Sequence, residues 1–283
     1  MKKSLLVMML VATFGKSQAL AENYLANPRF DDYYTVKEGE SPQNSSSSFS
    51  DPLTVAHEFL SDSEDFFTEL RARLYSLLQF DHHNESYGAV TEPYNRSKHF
   101  GGWVNDRRDD VCYNTRAKVL IRDSESPVDF SSNGCSVAAG KWQDPYGDRS
   151  YTRASEIQID HFVPLKNAYL SGAYKWTRTK RCLYGNFLGN GFHLLAVYGK
   201  ENASKSDKTP EGYMPPNPAY RCQYLVQWLK VKMIWSLGLT PPEKDRVLEL
   251  VQENHCDVNQ FVYSATELAG QRQFMTDNLA MCQ

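Results

Sequence analysis

The chain has 283 residues, of which 41% are hydrophobic and 13% aromatic, enough for one full-sized core with decorations. A formal net charge of −3 argues against a protein that holds nucleic acid through overall charge, and no stretch after residue 21 is apolar for long enough to span a membrane. The charge is unevenly spread. Residues 151–235 carry twelve Lys/Arg and five Asp/Glu, a net of +7, while the remainder sums to −10. A basic central segment in an acidic chain fits a local phosphate-binding face, although clustered solvated lysines would read the same way.

Residues 1–21 have the three-part layout of a secretory signal. Lys2 and Lys3 precede the apolar run Leu5 to Phe14, and Ala19-Leu20-Ala21 supplies the cleavage site, with cleavage expected after Ala21. Residues 22–50, with the serine run Ser45 to Ser48, read as a flexible linker. Residues 51–93 carry helical spacing from Ala56 to Leu77, so an N-terminal helical segment packed on the core is expected. The pair His82-His83 that follows reads as a solvated polar loop.

Val111 to Leu120 alternates partly and predicts a strand, and Gly140 to Gly147 predicts a structured loop. Glu156 to Val163 mixes β-branched with polar residues and predicts a half-buried strand, which would turn the side chains of Asp160 and His161 to opposite faces. A short helix follows over Asn167 to Ala173. Trp176 to Arg181 then sets basic residues beside an aromatic, a mixture suited equally to nucleic acid and to a surface turn around a buried Trp176. Phe192 to Val197 predicts a second apolar strand, and Glu201 to Lys205 is helix-compatible, giving the order strand, strand, helix.

Pro210 to Pro218 contains four prolines and excludes regular structure. Leu225, Trp228, Leu229 and Trp235 mark an amphipathic helix, and Thr240-Pro241-Pro242-Glu243 opens another with a capping box. A last helix is expected from Thr266 onward, in a C-terminal extension over residues 257–283. The six cysteines allow fifteen pairings, and an exported chain permits disulfides. None has the C-x-x-C spacing of a structural zinc site.

Asp160-His161 on a strand, a polar residue opening the next strand and Asn202 near a helix start resemble the HNH, or ββα-metal, nuclease motif. More narrowly, the chain resembles the secreted HNH endonucleases over residues 94–256. Cys112-Tyr113-Asn114-Thr115-Arg116, Gly140-Lys141-Trp142-Gln143-Asp144-Pro145-Tyr146, Lys205 to Asp207 and Met214-Pro215-Pro216-Asn217 fall in the expected order. The resemblance implies an α+β fold with a ββα-metal core, surrounding helices and disulfide stabilisation. It also implies Cys112–Cys135 and Cys222–Cys256 bridges, which leaves Cys182 and Cys282 as a third pair.

The implied chemistry is phosphodiester hydrolysis. His161 would take the proton from water, while Asp160 and Asn202 would hold a divalent cation, Mg²⁺ first and Mn²⁺ or another second. Lys205, three residues beyond Asn202, would reach a phosphate oxygen. His193 stands where the family usually has Asn, as an orienting residue or a metal ligand, with Asn190 a weaker source of the missing amide. Arg116, Lys141, Arg178 and Lys208 are candidate nucleic-acid contacts. The expectation is an exported (secreted or periplasmic) metal-dependent endonuclease, acting as a monomer on DNA, with RNA second, at low sequence specificity; a cognate inhibitor is left open. The alternative is an inactive disulfide-stabilised protein that binds nucleic acid or protein on an HNH scaffold, favoured only by His193. A third reading makes His161 and His193 zinc ligands.

Overall fold

The computed structural model describes residue 90, residues 92–261 and residues 264–283. The expected signal peptide, linker and most of the N-terminal helical segment, with His82 and His83, lie outside these residues.

Helix α1 (Arg96–His99) is capped by the Asn95 side chain, which accepts from the Lys98 amide. Helix α2 (Thr115–Arg122) replaces the strand expected over Val111 to Leu120. The physical reason is local. Asn114 caps the helix by accepting from the Ala117 amide, and Ala117, Leu120 and Ile121 then fall at helical spacing and are buried.

Three strands follow as an antiparallel sheet in the order β1 (Asp129–Phe130), β2 (Val137–Asp144) and β3 (Arg149–Arg153). The segment expected to be a loop from Gly140 is therefore mostly strand β2. Its Gly140 is required because a Cβ there would meet the Trp142 ring at 2.8 Å. Trp142 is fully buried and donates from Nε1 to the Leu120 carbonyl, tying this sheet to α2.

Strands β4 (Ile157–His161) and β5 (Leu194–Tyr198) pair antiparallel, with His161 opposite Leu194 and Ile157 opposite Tyr198. Helix α5 (Gly199–Lys205) leaves β5 directly, completing the ββα unit. Between the strands lie α3 (Leu165–Leu170) and α4 (Arg178–Gly185). Along β4 the faces separate as pleating dictates. Ile157 and Ile159 pack with Val119, Leu120, Trp142, Leu194 and Ala196 in one core cluster, while Gln158 and Asp160 face α5.

The larger core lies under α6 (Arg221–Ile234), α7 (Pro241–Glu253) and α8 (Ala265–Asn278), around Tyr184, Tyr224, Trp228 and Trp235. The Thr240–Glu243 capping box forms. Disulfides join Cys112 to Cys135, Cys222 to Cys256 and Cys182 to Cys282, the last fastening the C-terminal extension to α4. Among the described residues no helix is long and apolar enough to cross a membrane.

Candidate active site

A cleft of about 430 Å³ opens where β4 meets α5, and Asp160, His161 and Asn202 all line it. Gln158, Tyr94, Arg96, Lys166, Ser206 and Asp207 complete much of its wall.

His161 ends β4, and its ring is stacked on Trp103, with centroids 5.2 Å apart and planes within 1°. Its Nε2 lies 3.0 Å from the Gly185 carbonyl oxygen. That oxygen can only accept, so the proton resides on Nε2 and the lone pair of the neutral ring on Nδ1. Burial is the main cause that lowers the imidazole to about 3, so the ring is neutral throughout the physiological range. The residue is buried to 8% exposure, and what remains accessible contributes to the cleft lining.

Asp160 points to the opposite face of the strand. Its Oδ1 accepts from Lys205 Nζ at 2.8 Å and its Oδ2 accepts from the Tyr146 hydroxyl at 2.6 Å. Burial pushes the carboxyl of Asp160 up and the ammonium of Lys205 down, and their mutual contact opposes both shifts. Asn217 holds the loop that presents Tyr146, donating its amide to the Tyr146 carbonyl and its Nδ2 to the Pro145 carbonyl. This gives the Met214-Pro215-Pro216-Asn217 segment a function in the fold: it clamps the residue that clamps Asp160.

Asn202 donates from Nδ2 to Gln158 Oε1 at 2.8 Å, which leaves its Oδ1 as the uncommitted oxygen. One carboxylate and one amide oxygen on a single cleft fit a hard, oxygen-seeking cation that keeps most of its ligands as water or phosphate. They do not resemble a zinc site. Among the described residues no group of three or more His, Cys, Asp or Glu is placed to hold a metal. Both His161 and His193 also spend Nε2 on backbone carbonyls.

Two expected catalytic residues are placed elsewhere. Lys205 is 0% exposed and is held by Asp160 Oδ1 and the His161 carbonyl, so it cannot reach a phosphate in the cleft. The spacing argument found its direction but not its partner: Asn202 and Lys205 share a helix face, and that face lies against Gln158 and Asp160. His193 is 1% exposed, packed among Tyr184, Phe187 and Trp235, with Nε2 on the Tyr184 carbonyl. It is a core residue and does not line the cleft. Asn190 supplies no amide to the site, since its Oδ1 accepts from the Phe192 and His193 amides and its Nδ2 donates to Gln271.

The peripheral cations divide likewise. Arg116 is half-buried and its guanidinium bridges the Ala154 and Ile157 carbonyls, so it braces β4 and is not available to phosphate. Lys141 pairs with Glu125 at 2.8 Å on the far sheet. Arg178 and Lys208 are exposed, with Arg178 near the Ser97 carbonyl and Lys208 on the Ser204 carbonyl. Trp176 packs against Tyr184 and Trp235, with Lys180 over its ring. Sequence reasoning missed Trp103, Arg96 and Tyr146 as parts of the site; the Gly101-Gly102 pair before Trp103 was the available sign of a backbone forced into an unusual turn.

Residues 114–248 match the family described as GmrSD restriction endonucleases, C-terminal domain. An uncharacterized secreted protein of the fungus Arthroderma benhamiae is 39% identical over 159 residues, covering 56% of this chain and 74% of the relative. The chain belongs to the HNH endonuclease family. HNH nucleases generally use a divalent metal, which agrees with the oxygen donors assembled on the cleft. No solved structure matches the chain.

Proposed function

We propose that this HNH protein is an exported, metal-dependent endonuclease that hydrolyses DNA, RNA being the other candidate substrate, with low sequence specificity and as a monomer. The observation that carries the reading is the state of His161: a neutral imidazole at the cleft, its proton committed to the Gly185 carbonyl and its lone pair on Nδ1. A ring so arranged carries its lone pair, and not a proton, on Nδ1 across the physiological range, which is the protonation state a general base requires. Burial makes it a weak base in the free protein, and an arriving phosphate anion raises its proton affinity because negative charge favours the imidazolium.

Asp160 and Asn202 would hold the cation, Mg²⁺ by preference of such oxygen donors. Bound there, it would supply charge stabilisation for the pentacoordinate phosphorane and its leaving oxygen. Lys205 and Tyr146 keep the Asp160 carboxylate oriented, and Lys205 also grips the His161 carbonyl, so one buried ammonium ties the cation-binding carboxylate to the backbone of the base. The cleft offers phosphate-directed groups, and no base-reading module is apparent among the described residues, which supports low sequence preference. Residues 94–256 would constitute the nuclease domain. Three disulfides and the secreted relative support a location outside the cytoplasm.

The test is digestion of supercoiled plasmid and of a structured RNA with Mg²⁺, with EDTA, and with His161→Ala. Cleavage by the parent chain, lost on chelation and on substitution, is expected. Undiminished cutting by the substituted chain would remove His161 from its role. The inactive-scaffold reading rested on His193, and with that residue in the core no observation favours it.

A further inference from the structure

With Lys205 buried, the cleft needs another group to hold the phosphate. Two cations line it, Arg96 and Lys166, and Lys166 is paired with Asp207 Oδ2 at 2.5 Å. Arg96 is exposed on α1 and has no carboxylate within ion-pairing distance among the described residues. Its guanidinium carbon sits 5.8 Å over the Trp103 ring, the same ring that stacks on His161. Arg96, Trp103 and His161 therefore form one continuous stack, whose two outer members line the cleft.

The stack is built rather than fortuitous. Gly101 adopts φ +83°, a left-handed turn that sends the chain from α1 back over the site, and its amide closes on the Arg96 carbonyl. The fully buried Asn186 then pins the chain on both sides of Trp103, accepting from the Val104 amide and donating to the Gly102 carbonyl. Asn186 directly follows Gly185, whose carbonyl fixes His161, so one short segment orients both rings.

We propose that Arg96 is the phosphate-positioning residue of this site. Its planar guanidinium, resting on Trp103, takes two non-bridging oxygens of the phosphodiester and sets phosphorus beside the water that His161 deprotonates. A guanidinium suits this better than an ammonium because it binds bidentately and stacks on an aromatic face at the same time. The assignment rests on the nuclease reading above and deepens it.

The experiment compares Arg96→Ala and Arg96→Lys with the parent chain on a fluorescent DNA duplex with Mg²⁺, and adds millimolar guanidinium chloride to each. The expected kcat of Arg96→Ala is about 100-fold down, with KM changed by less than about fivefold, since the contact strengthens as charge builds on phosphorus. Arg96→Lys falls between. Added guanidinium restores at least tenfold to Arg96→Ala and nothing to His161→Ala, a rescue that a merely structural residue would not give. Arg96→Ala within threefold of the parent, or a loss that guanidinium does not mend, overturns the proposal while leaving the nuclease reading intact. A parent chain inert toward every nucleic acid overturns the nuclease reading itself.

Discussion

Replacing His193 by Asn separates a core histidine from a catalytic one. Burial holds the imidazole of His193 at about 3, against about 6.5 in an unfolded chain. Because the folded value is the lower one, the unfolded state binds the extra proton between those limits. Stability from the neutral ring is complete above pH 6.5 and declines as pH falls toward 3. At pH 5.5 the unfolded imidazole is about ten parts protonated to one part neutral, and this favours unfolding by RT ln 11, about 1.4 kcal/mol; at pH 7.5 the same quantity is below about 0.1 kcal/mol.

Denaturant unfolding of the oxidised parent chain and of His193→Asn, each at pH 7.5 and 5.5, isolates that difference. Carboxylates, His161 and the cavity left by the smaller side chain contribute to both proteins and cancel in the double difference. The variant should lose about 1.4 kcal/mol less than the parent on acidification, and should still cut DNA. Equal losses in the two proteins would refute the buried neutral assignment. Loss of cutting with stability unchanged would return His193 to the site.

Lys205→Met leaves Asp160 buried without its counter-charge and should cost about 3–5 kcal/mol in denaturant unfolding, with part recovered in Asp160→Asn/Lys205→Met; a cost below about 1 kcal/mol would contradict the buried pair. Gly101→Ala meets both the positive φ and the Arg178 guanidinium 2.8 Å from the new Cβ. A destabilisation of about 1–3 kcal/mol with a drop in Trp103-dependent near-ultraviolet dichroism is expected, and an unchanged spectrum would argue against a required turn. Removing the Cys182–Cys282 bridge, which spans 100 residues, by paired alanines should cost about 4–5 kcal/mol by loop-closure entropy, read from the shift in denaturation midpoint.

Much of the ββα unit was legible because its signals are short-ranged. Alternation over Glu156 to Val163 fixed the faces of β4, and the apolar run before the polar Glu201 segment fixed β5 and α5 in order. What the sequence could not convey depends on which surface each face meets. Asn202 and Lys205 share a helix face by spacing, yet only packing reveals that Gln158 and Asp160 occupy it. His193 opens a strand as a ligand would, and only the aromatic cage around it shows that it is buried. Arg96 and Trp103 are brought to His161 by one glycine turn and one buried amide, Asn186, far along the chain. No periodicity encodes such a contact. The strand expected over Val111 to Leu120 failed for a different reason: the capping side chain of Asn114 outweighed a partial alternation.

The central claim is that the lone pair of a neutral His161 accepts the proton of the attacking water. The most direct measurement is cleavage of a duplex by His161→Gly, with and without added imidazole, across pH 5.5 to 8. The account predicts a rate far below that of the parent chain, restored by imidazole in proportion to its unprotonated fraction. A His161→Gly protein that cuts at the parental rate without imidazole would contradict it.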